Sequence, residues 1–212
     1  MTTTHDEVTG ADREVEVASA DRLTFFSDAV VAIAMTLLAL ELPVPEGHTN
    51  SEALHSLGAH LEEYQAFLIS FAVVAVHWSG HHRIFGYLTG LGGRIVRWNM
   101  LWLLTIVLMP FATRTLTGDG AFEVRFITYA SVQALAGLFF LMAVREMDRH
   151  HLLRPDTPPV VLRASYARLT TMSGAFLVSI PVSLVTHWAY LCWIAIPFLS
   201  RGYVIVARRI HR

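Results

Sequence analysis

The sequence predicts an all-α integral membrane protein with six transmembrane helices, and three observations carry that prediction. First, 54% of its 212 residues are hydrophobic and only 16% are charged, whereas roughly a quarter of an ordinary soluble domain is charged. The excess runs along most of the chain, so a single buried core does not absorb it. Second, apolar stretches of about 20 residues recur, the length a helix needs to cross a ~30 Å hydrocarbon layer. Third, the basic residues gather on one side of those stretches.

The stretches lie at roughly 22–44, 62–81, 95–114, 121–146, 164–186 and 188–208. Hydropathy barely separates the last two. Arg168 and Arg201 stand so far apart that one helix between them would reach about 50 Å, too long for a single crossing. Two helices joined by a tight hairpin near Thr186-His187 fit better. Pro181 and Pro197 are expected to kink them, as membrane helices tolerate proline. Before the first stretch, residues 1–21 are polar and without an apolar run, unlike a signal peptide, and a disordered cytoplasmic tail is expected there. Residues 22–209 then form the membrane domain and 210–212 a short cytoplasmic end.

All 16 basic residues of the Lys and Arg class are arginines. Arg13 and Arg22 precede the first span, and Arg83, Arg94 and Arg97 lie between the second and third. Arg145, Arg149, Arg154, Arg163 and Arg168 flank the fourth connection, and Arg201, Arg208, Arg209 and Arg212 close the chain. Only Arg114 and Arg125 fall on the other side. That asymmetry is the positive-inside pattern. It predicts an even number of spans, both termini in the cytoplasm and a multi-pass protein of the cell membrane, embedded in lipid. No internal repeat marks a two-halved transporter. A net charge of −1 offers nothing to nucleic acid. The single Cys192 excludes an internal disulfide, and no thiol spacing suggests zinc.

The first span carries the strongest local signal. Asp28 lies close to or inside it, where a carboxylate is costly unless paired or wetted; the plainer reading is that Ser27 or Asp28 caps a helix start. At 100° per residue, positions 26, 29/30, 33, 36/37 and 40 share one stripe. That stripe is apolar apart from Thr36, and Asp28 points elsewhere. Periodicity alone reads it as a helix-packing surface.

The motif Arg22-x-x-x-Phe26-Ser27-Asp28, continued by Ala-Ile33-Ala-Met-Thr36-Leu37-Leu, resembles the RxxxFSD signature of the transmembrane protein 175 family of potassium channels. The resemblance returns at His77-Trp78-Ser-Gly-His81-His82-Arg83, at Trp98-Asn99 and at Met109-Pro110-Phe111-Ala-Thr113, and covers roughly residues 22–115. One such motif with six spans is similar to the prokaryotic form. The resemblance implies a potassium-permeable homotetramer whose four first helices line a central pore. Its constriction would be Ile33, Leu37 and Leu40, with Ile33 and Thr36 setting ion preference. Arg22, Phe26, Ser27 and Asp28 would hold the helix in register through Trp78, His81, His82 and Asn99. An apolar ring closes a pore by excluding water, without a plug. Glu41, at the outer end of this helix, would concentrate cations at the mouth or simply face headgroups.

Other signals are weaker. His77-x-x-x-His81-His82 is similar to one histidine box of membrane di-iron enzymes, but that chemistry needs several boxes on one membrane face. Thr117-Gly118-Asp119-Gly120 reads as a turn rather than a channel filter, since no re-entrant helix precedes it. Histidines 48, 55 and 60 lie in a loop, where pH sensing is possible but ordinary exposure is the simpler account. No enzyme chemistry, cofactor or metal other than potassium in transit is expected. The rival class is a secondary transporter, proton-coupled or otherwise, with Asp28 as the protonated, moving group.

Overall fold

The computed structural model describes residues 3–194 of the chain, and those residues are helical apart from their connections. Helix α1 (Thr3–Leu40) is followed by α2 (Asn50–Ala59), α3 (Leu61–Phe85), α4 (Ile95–Val107), α5 (Met109–Thr117), α6 (Phe122–Arg149) and α7 (Pro159–Ser183). A 3₁₀ turn (His187–Tyr190) leads into α8 (Leu191–Ile194). The expected sixth span and the cytoplasmic end 210–212 lie largely outside the described residues, as does Pro197.

Among the described residues three helical stretches are long and apolar enough to cross a membrane: Glu14–Leu40, Ile95–Thr117 (α4 with α5) and Phe122–Arg149. The pair α2 and α3 meets the same standard together but bends by 57°. Helix α7 has 25 residues, yet Arg163, Arg168 and a series of Ser and Thr dilute its apolarity, and it is not among the three.

Where a disordered tail was expected over 1–21, the described residues form helix, since α1 begins at Thr3 and runs for 38 residues. Polarity alone suggested disorder, but from Ala11 to Leu42 the sequence has no Gly or Pro to end a helix. The span has already met the cost of nucleation, so each preceding residue adds a hydrogen bond for one fixed backbone unit. Ala20 and Leu23 join the buried core, and the Glu16 side chain lies against Gly90.

The connection 45–61 also holds more order than expected. Thr49 and Glu52 form a reciprocal capping box at the start of α2, so two orphan amides are satisfied by side chains. The third expected span is two helices, broken at Leu108 with Pro110 in the first turn of α5, where its missing N–H costs nothing. Helix α7 ends at Ser183, close to the expected hairpin.

Helix α6 is the hub, packing on α4, α5 and α7, while α1 leans on α3, α4 and α5. Trp102, Phe126, Tyr129, Phe140 and Phe176 are fully buried there. Ala130, Ala134, Ala136 and Gly137 keep α6 slim, the usual means of close approach where lipid supplies no hydrophobic drive. At Gly137 a Cβ would run into Ser173 of α7.

At one end of the bundle the connections 86–94 and 150–158 are stitched together. Thr89 donates its backbone N–H to the Leu152 carbonyl at 2.8 Å, and Arg154 N–H donates to the Tyr87 carbonyl at 2.9 Å. Glu146 Oε1 accepts from the Arg94 amide at 2.9 Å. Gly93, at φ +61°, has Glu146 and His150 directly on its Cβ side. A side chain there would be both strained and blocked.

Candidate functional site

The site is the junction of α1, α3 and α4. Trp78 and His82 stand one turn apart on the face of α3 that meets α1. Trp78 Nε1–H donates to Asp28 Oδ1 at 2.9 Å, and His82 Nδ1 lies 3.3 Å from Asp28 Oδ2. Both oxygens of the membrane carboxylate are therefore partnered, the condition under which such a group is tolerated. Helix capping, the plainer reading of Asp28, does not apply: the residue sits deep within α1.

A second chain runs beside it. Asn99 of α4 donates from Nδ2 to Ser27 Oγ at 2.9 Å, and Ser27 Oγ–H donates to the Leu23 carbonyl at 2.8 Å. Asn99 Oδ1 lies 2.9 Å from His81 Nε2, which assigns the proton to Nε2. Accordingly Nδ1, buried and without a partner, is the bare nitrogen. The His81 ring is clamped between Phe85 and Trp102, with centroids 3.7 and 4.3 Å away. Ser27, His81 and Asn99 are all buried. Four expected side chains thus meet Ser27 and Asp28 directly or through one another: Trp78, His81, His82 and Asn99.

Arg22 and Phe26 do not join them. Both are exposed in the protomer, and Arg22 makes no hydrogen bond or ion pair among the described residues. Within one protomer the bonds from the motif to α3 and α4 come from Ser27 and Asp28. Helical geometry gives the reason: residues 22, 26, 29 and 33 share a stripe that turns away from α3 and α4.

That stripe is open along its length. Ile33 and Leu40 are 60% and 80% exposed, whereas Val31 and Leu38 on the opposite face are 1% exposed. Phe26 and Leu37 are also uncovered. The Thr36 hydroxyl donates to the Ile33 carbonyl at 2.8 Å, so its lone pairs face outward. Glu41 is not a free acid: its Oε2 accepts from Arg114 Nη1 at 3.1 Å. The two formal charges of the pair cancel at this end of α1. Arg125, the other arginine outside the main pattern, donates to the Leu116 and Gly118 carbonyls.

A further polar chain escaped sequence reasoning. Thr113 Oγ1 lies 2.8 Å from Ser70 Oγ, which is 3.1 Å from the Tyr129 hydroxyl, and Gln133 Nε2 donates to that hydroxyl at 3.0 Å. It ties α3, α5 and α6 in the buried interior. Tyr129 and Gln133, four residues apart in an apolar run, were the available signal; Ser70 and Thr113 sit on other helices and offered none. No group of three or more His, Cys, Asp or Glu among the described residues is placed to hold a metal.

The family profile described as "Endosomal/lysosomal potassium channel TMEM175" matches residues 22–110. A protein named as a potassium channel in Streptomyces collinus is 31% identical over 178 residues, spanning 78% of this chain and 86% of its own length. The chain belongs to the TMEM175 family. A second relative named as a potassium channel, from Chamaesiphon minutus, is 34% identical over 183 residues, or 82% and 88% of the two chains. The TMEM175 fold also matches in space. The crystal structure of a lysosomal potassium-selective channel TMEM175 homolog from Chamaesiphon minutus superposes with a TM-score of 0.69 at 28% identity. It covers 89% of this chain and 97% of that one. TMEM175 is a family of ion channels, so the chain is not an enzyme. The spaced histidines fit that assignment: His81 faces Asn99 and His82 faces Asp28.

Proposed function

We propose that the chain is a potassium-permeable channel of the cell membrane, a homotetramer of six-span subunits with both termini in the cytoplasm. The first helix of each subunit lines its pore. The observation that carries this reading is the open stripe of α1. Phe26, Ile33, Leu37 and Leu40 stay uncovered while Ser27 and Asp28 lock the reverse face to α3 and α4. A helix fixed in rotation by polar pairing, with a bare apolar stripe, is suited to meet copies of itself about an axis. The two relatives named as potassium channels support the permeant ion.

In this arrangement Ile33, Leu37 and Leu40 form stacked apolar rings. Such rings hold the pore shut by dewetting and conduct once they widen enough to admit water. Thr36 places a hydroxyl ring between them and, with Ile33, biases the choice of ion. Arg22 and Phe26 lie on the same stripe nearer the cytoplasm and act between subunits. Glu41 and Arg114 form a paired, nearly neutral rim.

The decisive test is flux from proteoliposomes under a potassium gradient. Replacing Ile33 by Asn should raise flux and lower the preference for potassium over sodium, because four amides keep the constriction wet. In a secondary transporter using Asp28, the same change in a packed seam should slow turnover. Loss of transport by an intact Ile33→Asn tetramer, with Asp28→Asn removing any pH dependence, would put the carrier in place of the channel. Topology is tested separately. With Cys192 replaced, single cysteines at Thr49 and Thr157 should label from outside and inside respectively; labelling of both from one face defeats the six-span arrangement.

A further inference from the structure

Arg168 lies in α7, about 14 Å from its start at Pro159, against the backbone of Gly80 in α3. A Cβ at Gly80 would coincide with the guanidinium, so the absence of a side chain is what admits it. Among the described residues Arg168 makes no ion pair or hydrogen bond, and its Nε is buried without a partner. The ionisable groups that influence it are basic or potentially basic: Arg83 of α3, and His77 one turn deeper. His77 is itself buried with both ring nitrogens unpartnered. A part-buried guanidinium among such neighbours is unfavourable unless an anion reaches it.

The position says which anion. Arg83 and Arg168 lie toward the end of the bundle where connections 86–94 and 150–158 are tied together, the arginine-rich end of the sequence. Long arginine side chains there reach toward the interface, where phospholipid phosphates lie. Gly80 is roughly 160–200° around α3 from Trp78 and His82, which face α1. The seat of Arg168 therefore lies on the side of α3 turned away from α1, and on the proposed assembly away from the pore.

We propose that the seam between α3 and α7 binds the phosphate of an anionic phospholipid through Arg168 and Arg83, with Gly80 providing the space for the guanidinium. Phosphate oxygens suit the planar donor fork of arginine. The bound lipid supplies the negative charge that no described residue brings to Arg168.

Native mass spectrometry of the purified full-length chain tests this with phosphatidylglycerol and phosphatidylcholine of matched acyl chains. The unmodified protein should retain phosphatidylglycerol in preference. Arg168→Gln should lower that retention roughly five-fold or more, the factor carried by one arginine near a charged membrane surface. Gly80→Ala should do the same without changing any charge, because it displaces the guanidinium. Arg163→Gln, an exposed arginine elsewhere on α7, should leave retention unchanged. Equal retention of the two lipids by the unmodified protein overturns the site, as does normal retention by Arg168→Gln. Should Arg168→Gln fail to assemble, Gly80→Ala and the exposed Arg83→Gln decide the matter by the same comparison. Inorganic phosphate that displaces phosphatidylglycerol at millimolar concentration would overturn the lipid as the source. Retention is read without ion flux, so this site stands or falls separately from the pore assignment.

Discussion

The two faces of α1 are built from similar residues and have opposite fates. Val31, Ala34 and Leu38 are buried, while Ile33, Leu37 and Leu40, one or two positions along, are exposed. Apolarity does not separate them. In lipid it has little power to do so, since acyl chains are as apolar as leucine. What separates them is the polar content of the first turns of the span. Ser27 reaches Asn99, and Asp28 reaches Trp78 and His82. Those bonds fix the rotation of the helix about its own axis. The apolar residues that follow are then inside or outside by geometry alone. A membrane helix is thus oriented by a few polar pairs, and its open side is free for another task.

The comparison breaks most readily at Asn99. Replacing it by Ala takes the partner from His81, a buried imidazole, and from Ser27. Stranding the imidazole alone costs roughly 1–3 kcal/mol. The melting temperature of the purified protein in detergent should fall more for Asn99→Ala than for any substitution on the open stripe. An unchanged melting temperature would mean that the network does not hold α1 in place.

A pair of leucines sharpens the contrast. Leu38→Ala opens a cavity against α3 to α5 and should cost on the order of 2 kcal/mol, the low end for a core leucine because lipid leaves mainly the packing loss. Leu40→Ala removes the same atoms from an 80% exposed position and should shift stability by less than about 0.5 kcal/mol. If the two variants lose stability equally, the open stripe is packed in the assembly rather than facing a pore.

The smallest effect on stability is expected at Thr36. Its hydroxyl bonds the Ile33 carbonyl within the same turn, and Thr36→Val changes little in volume, so melting should stay within about 0.5 kcal/mol of the original. Reversal potentials under mixed potassium and sodium gradients should nonetheless move. An unaltered ion preference would remove Thr36 from the conduction path and leave the hydroxyl as a helix-internal bond.

Much of this was legible in the linear sequence. Long apolar runs require helices, because only helices satisfy every backbone group within one segment when no water is present. The all-helical fold follows from that. The helical period also separates Asp28 from Ile33 without any coordinates. The pairing of Ser27 and Asp28 with Trp78, His81, His82 and Asn99 was an expectation of the family resemblance, since the neighbouring spans hold other polar residues such as Gln65, Ser70 and Thr105. Three features were decided only in three dimensions. Helix α1 reaches back to Thr3, because a polar segment joined to an existing helix needs no nucleus of its own. The division of the motif, with Ser27 and Asp28 engaged and Arg22 and Phe26 left outside, depends on which side α3 and α4 approach. Lastly, the pairing of Glu41 with Arg114, the Ser70–Thr113–Tyr129–Gln133 chain and the seat of Arg168 on Gly80 all join distant segments. Hydropathy and periodicity describe one helix at a time, whereas a hydrogen bond or a close approach between helices depends on their relative position, depth and rotation, which only the packed bundle supplies.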